Sequence, residues 1–116
     1  MEKSNMQLNA LIHELKKVST LENVGLWKAL AADLERPSRQ RRAVNLSRIS
    51  RVANENEIVI VPGKVLASGE LTQKVTIAAF KFSKQAMDKI TKKGKAITIM
   101  DLLRENPRGK NARIIG

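Results

Sequence analysis

The chain has 116 residues, with 22 Lys and Arg against 11 Asp and Glu, a formal charge of +11, 42% hydrophobic residues, one His and no Cys. At about 100–200 residues per domain this is expected to be a single domain over 1–116, able to bury roughly two-thirds of its unfolded surface. The lack of Cys excludes disulfides, zinc ribbons and thiol nucleophiles; His13 alone makes no metal cluster; and no stretch approaches the ~18 apolar residues of a membrane span. The N-terminal MEKSNMQLNALIHELKK has no uninterrupted apolar core of a signal peptide, so the expected setting is the cytoplasm.

Leu8, Leu11, Ile12, Leu15 and Val18 follow the spacing of an amphipathic helix, with Ser4 or Asn5 available as its cap. A second helix is predicted over Val24–Glu35, burying Leu26, Trp27, Leu30, Ala31 and Leu34 and ending before Pro37. The two form a near-neutral hairpin over 1–35, in which Trp27 reads as a core anchor rather than a base-stacking platform. Over 36–53 the sequence predicts an Arg-rich loop and then a short helix capped by Asn45, with Leu46, Ile49 and Ala53 on one side and Arg48 and Arg51 on the other.

From 54 to 116 the period changes to that of an α/β core. Ile58–Val61 reads as a strand ending at a Pro62-Gly63 turn, and Lys64–Ala67 as its short return before Ser68-Gly69. Val75–Phe80 is a further strand. Ser83 caps a helix through Met87 and Ile90 that closes on Lys92-Lys93, with Gly94 suited to the left-handed stop. Ala96–Thr98 is a strand, Ile99–Glu105 a helix stopped by Pro107, Arg108-Gly109-Lys110 a basic turn, and Ala112–Ile115 a last strand.

The charge is divided unevenly. Residues 1–35 hold four Lys against five acids, while residues 36–116 hold the other 18 cations against six acids. Arg36–Arg51, RPSRQRRAVNLSRISR, contains Arg36, Arg39, Arg41, Arg42, Arg48 and Arg51 with no acid and no Lys. The bland reading of a basic run is a solvated surface. An all-Arg run between two ordered segments points instead to phosphate, whose oxygens the planar guanidinium matches in bidentate fashion.

No catalytic constellation emerges. Gly63-Lys64 lacks both the Gly five residues earlier and the following Ser or Thr of a phosphate-binding loop, those places being Ile58 and Val65. The acids are explained as surface or helix-end charges and His13 as a structural histidine, so no enzyme activity, cofactor or small-molecule substrate is expected. Single-strand readers stack bases on exposed rings, and the chain has only Trp27, Phe80 and Phe82, of which only Phe82 is a candidate. Folded, double-helical RNA bound through phosphates fits better. Duplex DNA bound through a helix-turn-helix unit is the alternative, although the connection from Arg36 to Val44 exceeds the usual turn of about 3–4 residues.

The succession NMQLNALIHELKK, LWKALAADLERPSRQRRAVNLSRI, IVIVPGKVLASGELTQKVTIAAFKFSKQA and GKAITIMDLLRENPRGKNARII resembles, along nearly the whole chain, the large-subunit ribosomal protein L-eighteen-e family of archaea and eukaryotes, in its short archaeal form. LERPSRQRRAVNLSRI and VPGKVLASG carry most of the resemblance. It implies a structural protein of the ribosome whose partners are large-subunit ribosomal RNA and neighbouring ribosomal proteins, with no membrane role. It also implies an α/β fold of irregular β-β-α superhelical turns. Arg36, Pro37, Arg39, Arg41, Arg42, Val44 and Asn45 match the family's Pro/Arg-rich segment, and Pro62, Gly63, Lys64 and Gly69 its glycine-containing turn.

Together these readings assign RNA contact to Arg36, Arg39, Arg41, Arg42 and Asn45, to Arg48 and Arg51 on the third helix, and to the basic turns at Lys64, at Lys92, Lys93 and Lys95, and at Arg108, Lys110 and Arg113. Replacing Arg39, Arg41 and Arg42 with Ala is expected to leave the melting temperature nearly unchanged while RNA affinity falls. Each lost phosphate contact should flatten the salt dependence by about 0.7–0.9 in log–log slope. A triple variant that no longer folds would contradict this division of labour.

Overall fold

Among the described residues all five strands run parallel, and that alone dictates most of the architecture, because a parallel sheet must be covered on both faces. The computed structural model describes residues 3–36 and 43–115. Its elements are α1 (Lys3–Glu22), α2 (Gly25–Leu34), β1 (Ala43–Asn45), α3 (Leu46–Val52), β2 (Ile58–Leu66), β3 (Thr76–Phe82), α4 (Lys84–Thr91), β4 (Lys95–Thr98), α5 (Ile99–Glu105) and β5 (Ala112–Ile114). The sheet order is β1-β2-β3-β4, and β5 lies beside β2 on the same edge as β1. β5 pairs with Ile58–Ile60 and β1 with Lys64–Leu66, end to end.

Two apolar layers result. On one face α3 and α4 bury Leu46, Ile49, Ala86 and Ile90 against Val59, Val61, Val65, Ile77 and Ala79. On the other, α1, α2 and α5 bury Leu15, Trp27, Leu30, Leu34, Ile99 and Leu102 against Ile60 and Ala78. The expected α/β architecture, a helical hairpin ahead of an irregular α/β core, is what the chain adopts. Trp27 is the buried anchor its apolar position predicts: it is fully buried, and its indole N–H donates to the Pro107 carbonyl at 2.6 Å, tying α2 to the turn after α5.

The remaining crossover, residues 67–75 between β2 and β3, has no helix. It runs as an extended segment along α3: Ser47 N–H donates to the Ser68 carbonyl, Ser50 Oγ to the Glu70 carbonyl, and Gln73 Nε2 to the Ser50 carbonyl. Lys89 of α4 holds the other side through the Ala67 and Gly69 carbonyls at 3.0 and 2.9 Å. Gly69 (φ +89°) is obligatory here, since a Cβ would lie 2.5 Å from the Ser47 Cβ.

Several local expectations are corrected. α1 begins at Lys3, so Ser4 and Asn5 stand in its first turn and not ahead of it. Leu26 is only partly buried, packed over the Gly109 turn. Asn45 occupies the N-cap position of α3 without a side-chain capping bond, because Ala43–Asn45 is drawn into the sheet as β1. Pro62-Gly63 is no reversal: β2 continues through it, and the register to β3 shifts between Val61 and Lys64, a β-bulge. Gly94 does not adopt the left-handed conformation. It is required by contact, a Cβ there falling 2.2 Å from the Val75 carbonyl oxygen. Ser83 caps α4 as predicted, accepting from Ala86 N–H, and Thr98 caps α5 in the same way through Asp101 N–H.

Trp27→Ala should cost about 3–5 kcal/mol in a urea titration, the range for emptying a large buried aromatic site. Gly94→Ala should cost about 1–3 kcal/mol by overpacking against a backbone oxygen that cannot swing aside.

Candidate nucleic-acid interface

Because apolar side chains occupy both faces of the sheet, the cations are pushed to its ends and to the outer helix surfaces. The ends are identified by register. Ile58, Thr76 and Lys95 form the first row of β2, β3 and β4; Ala43, Lys64 and Lys81 form a row near the opposite end.

At that opposite end Lys64 and Lys81 are exposed neighbours on adjacent strands, about 5 Å apart in backbone spacing. Lys81 Nζ also lies 5.8 Å from the centre of the Phe80 ring. Ala43 in the same row is where the chain first enters the sheet, after the arginine segment. Arg39, Arg41 and Arg42 lie outside the described residues, as does Pro37. Arg36, at the start of that segment, lies 3.9 Å from the Asp33 carboxylate. Asn45 is half-buried at the end of β1. Arg48 and Arg51 are exposed on α3 while Leu46 and Ile49 are buried, as the helical period requires.

At the first-row end stand Lys92, Lys93 and Lys95, all exposed, where α4 hands over to β4. Lys110 belongs to a turn at the same end, closed by Asn106, whose side chain accepts from Lys110 N–H and donates to the Lys110 carbonyl. Arg108 reaches back to Glu22 at the end of α1, 3.7 Å away. Arg113 differs from the rest. Its guanidinium donates to the Glu57 carboxylate at 3.0 Å and to the Val52 carbonyl, joining β5 to the segment after α3.

Among the described residues the sequence-assigned lysines thus fall into two groups at opposite ends of the sheet, Lys64 at one and Lys92, Lys93, Lys95 and Lys110 at the other, while Arg48 and Arg51 lie on α3. Among the described residues, Arg48, Arg51, Lys64, Lys92, Lys93, Lys95 and Lys110 have no carboxylate within ion-pair distance, whereas Arg36, Arg108 and Arg113 do. Lys74 at one end and Lys81 and Lys84 at the other extend the groups beyond the sequence assignment. Their signal was available: Lys81 alternates with inward residues on a strand, and Lys74 precedes β3 by two residues. None of the three aromatic rings is exposed, Phe80 and Phe82 being half-buried against the two cores. No ring is fully presented to stack on a base, and phosphate contact is the chemistry that the exposed lysines and arginines offer.

The profile of the family described as ribosomal protein 60S L18 and 50S L18e matches residues 2–116. The chain is 46% identical over 114 residues to large ribosomal subunit protein eL18 of Methanothermobacter thermautotrophicus, covering 97% of this chain and 94% of that one. To eL18 of Methanoregula boonei it is 47% identical, covering 98% and 95%; to eL18 of Haloarcula marismortui it is 43% identical, covering 99% of both.

Arg113→Ala should lower stability by about 1 kcal/mol, because it strips the Glu57 carboxylate and a backbone carbonyl of their donor. Lys64→Ala should stay within about 0.5 kcal/mol of the parent. Urea denaturation of the two variants side by side separates the cation that builds the fold from the one left over for a partner.

Proposed function

This chain belongs to the 60S L18 and 50S L18e family of ribosomal proteins, and on that premise we propose how it serves as a structural constituent of the large ribosomal subunit: it grips folded ribosomal RNA through phosphate contacts from Arg and Lys. The setting is the ribosome in the cytoplasm, the partners are ribosomal RNA and adjoining ribosomal proteins, and the role involves no catalytic step. The observation that carries this reading is the set of exposed cations without carboxylate partners, seated on backbone that the sheet holds rigid. Arg39, Arg41 and Arg42 supply guanidinium forks between α2 and β1. Arg48 and Arg51 on α3, Lys64 at one end of the sheet and the basic turns at 92–95 and 108–113 at the other add further phosphate contacts. Such contacts release counterions from the RNA, so affinity falls steeply with salt.

The helix-turn-helix alternative fails on geometry. α2 and α3 pack on opposite faces of the sheet and cannot present a two-helix unit to a DNA groove.

Sedimentation of cell extract on a sucrose gradient, with the chain followed through a high-salt wash, tests the reading. An integral constituent should remain with large subunits at salt that strips loosely bound basic proteins. Release to the top of the gradient, or co-migration with DNA, would overturn it.

A further inference from the structure

The first-row end of the sheet contains a cavity of about 220 Å³ lined by Asn56, Lys74, Val75, Thr76, Gly94 and Lys95. Its walls are fixed by backbone. Asn56 N–H donates to the Lys74 carbonyl at 2.7 Å and Lys95 N–H to the Val75 carbonyl at 3.1 Å, so the two lysines are held on either side of Val75. The turn that carries Lys92, Lys93 and Lys95 can come this close only because residue 94 has no side chain. The neighbouring carboxylate, Glu55, accepts from the Lys74 backbone N–H at 3.3 Å. Among the described residues neither Lys74 nor Lys92, Lys93 or Lys95 forms an ion pair.

A small cavity whose lining includes two exposed lysines, a threonine and an asparagine, with Lys92 and Lys93 in the adjoining turn, suits a phosphodiester. Its row and the Ala43–Lys64–Lys81 row are five β3 residues apart, roughly 17 Å. Helices cover both faces of the sheet between them. We propose that this cavity is a second, separate seat for an RNA phosphodiester backbone, so that one copy of the chain ties together two RNA segments, one at each end of its sheet. The proposal rests on the RNA-binding reading above and adds to it the site, its lysines and the two-segment geometry.

The test uses the full chain and two short RNA duplexes, one carrying a donor dye and the other an acceptor. Wild-type protein should raise energy transfer, with a maximum near one protein per two duplexes and a fall at excess protein. The Lys74→Gln, Lys92→Gln, Lys93→Gln, Lys95→Gln variant should bind RNA more weakly, having lost the contacts of the 92–95 turn, and should lose most of the transfer even at duplex concentrations that saturate its other end. Should that variant melt far below wild type, Lys74→Gln with Lys95→Gln alone replaces it, with at least a several-fold loss of transfer expected. Undiminished transfer in a folded variant overturns the second seat. Wild-type protein that saturates with one duplex and gives no transfer overturns the bridge while leaving RNA binding intact. Wild-type protein that binds neither duplex at low salt overturns both this proposal and the reading it rests on.

Discussion

The structure depends on the central strand β2, whose two edges must both be satisfied by parallel neighbours. β3 takes one edge along most of its length, and β5 and β1 share the other. Parallel neighbours cannot be joined by tight hairpins, so each pairing demands a crossover that packs on a face of the sheet. α3, α4 and the extended 67–75 segment answer that demand on one side; α5 answers it on the other, where the α1–α2 hairpin completes the cover. With both faces apolar, a chain of +11 has nowhere to put its cations except the ends of the sheet and the outer helix surfaces. The two-ended basic surface is a consequence of strand direction before it is a feature of recognition.

The carboxylates reinforce that division. Glu35 pairs with Lys16 at 3.3 Å across the hairpin, Glu22 with Arg108, Glu57 with Arg113 and Glu70 with Lys89. Each exposed pair is worth only about 0–1 kcal/mol, so their chief effect is on what remains. Acids are engaged in closing the protein on itself, and much of the excess positive charge is left without a local counter-ion. Such a surface repels itself in the free protein and is relieved by a polyanion. Ribosomal RNA is the polyanion that the family supplies.

Much of this was legible from residue order. The amphipathic spacing of α1 and α2, the Ser83 cap, the Pro107 stop and the burial of Trp27 follow from periodicity and local chemistry, and all are present. The arginine segment was legible as composition alone. What escaped was whatever depends on a distant partner. Ala43–Asn45 has no strand signal of its own and becomes β1 because the end of β2 offers an unpaired edge. Arg113 reads as one more cation until Glu57 and the Val52 carbonyl are found beside it. Gly94 reads as a helix stop, yet its reason is the Val75 oxygen across the sheet end.

The Pro62-Gly63 pair shows most sharply why a local rule misled. Proline followed by glycine ordinarily marks a reversal, and in isolation the segment satisfies every turn criterion. Here the pair lies in a buried strand, in the gap between the residues of β2 that pair with β5 and those that pair with β1. A strand that changes partners along one edge has a stretch where no ladder bond is available on that edge. Proline has no N–H to leave unsatisfied there, and glycine accommodates the bulge that restores register with β3. The bulge is thus what lets two short strands share one edge, and it delivers Lys64 into the row with Ala43 and Lys81. One of the two blocks that carry the family resemblance is, in physical terms, the joint that lets β2 serve two ends of the molecule.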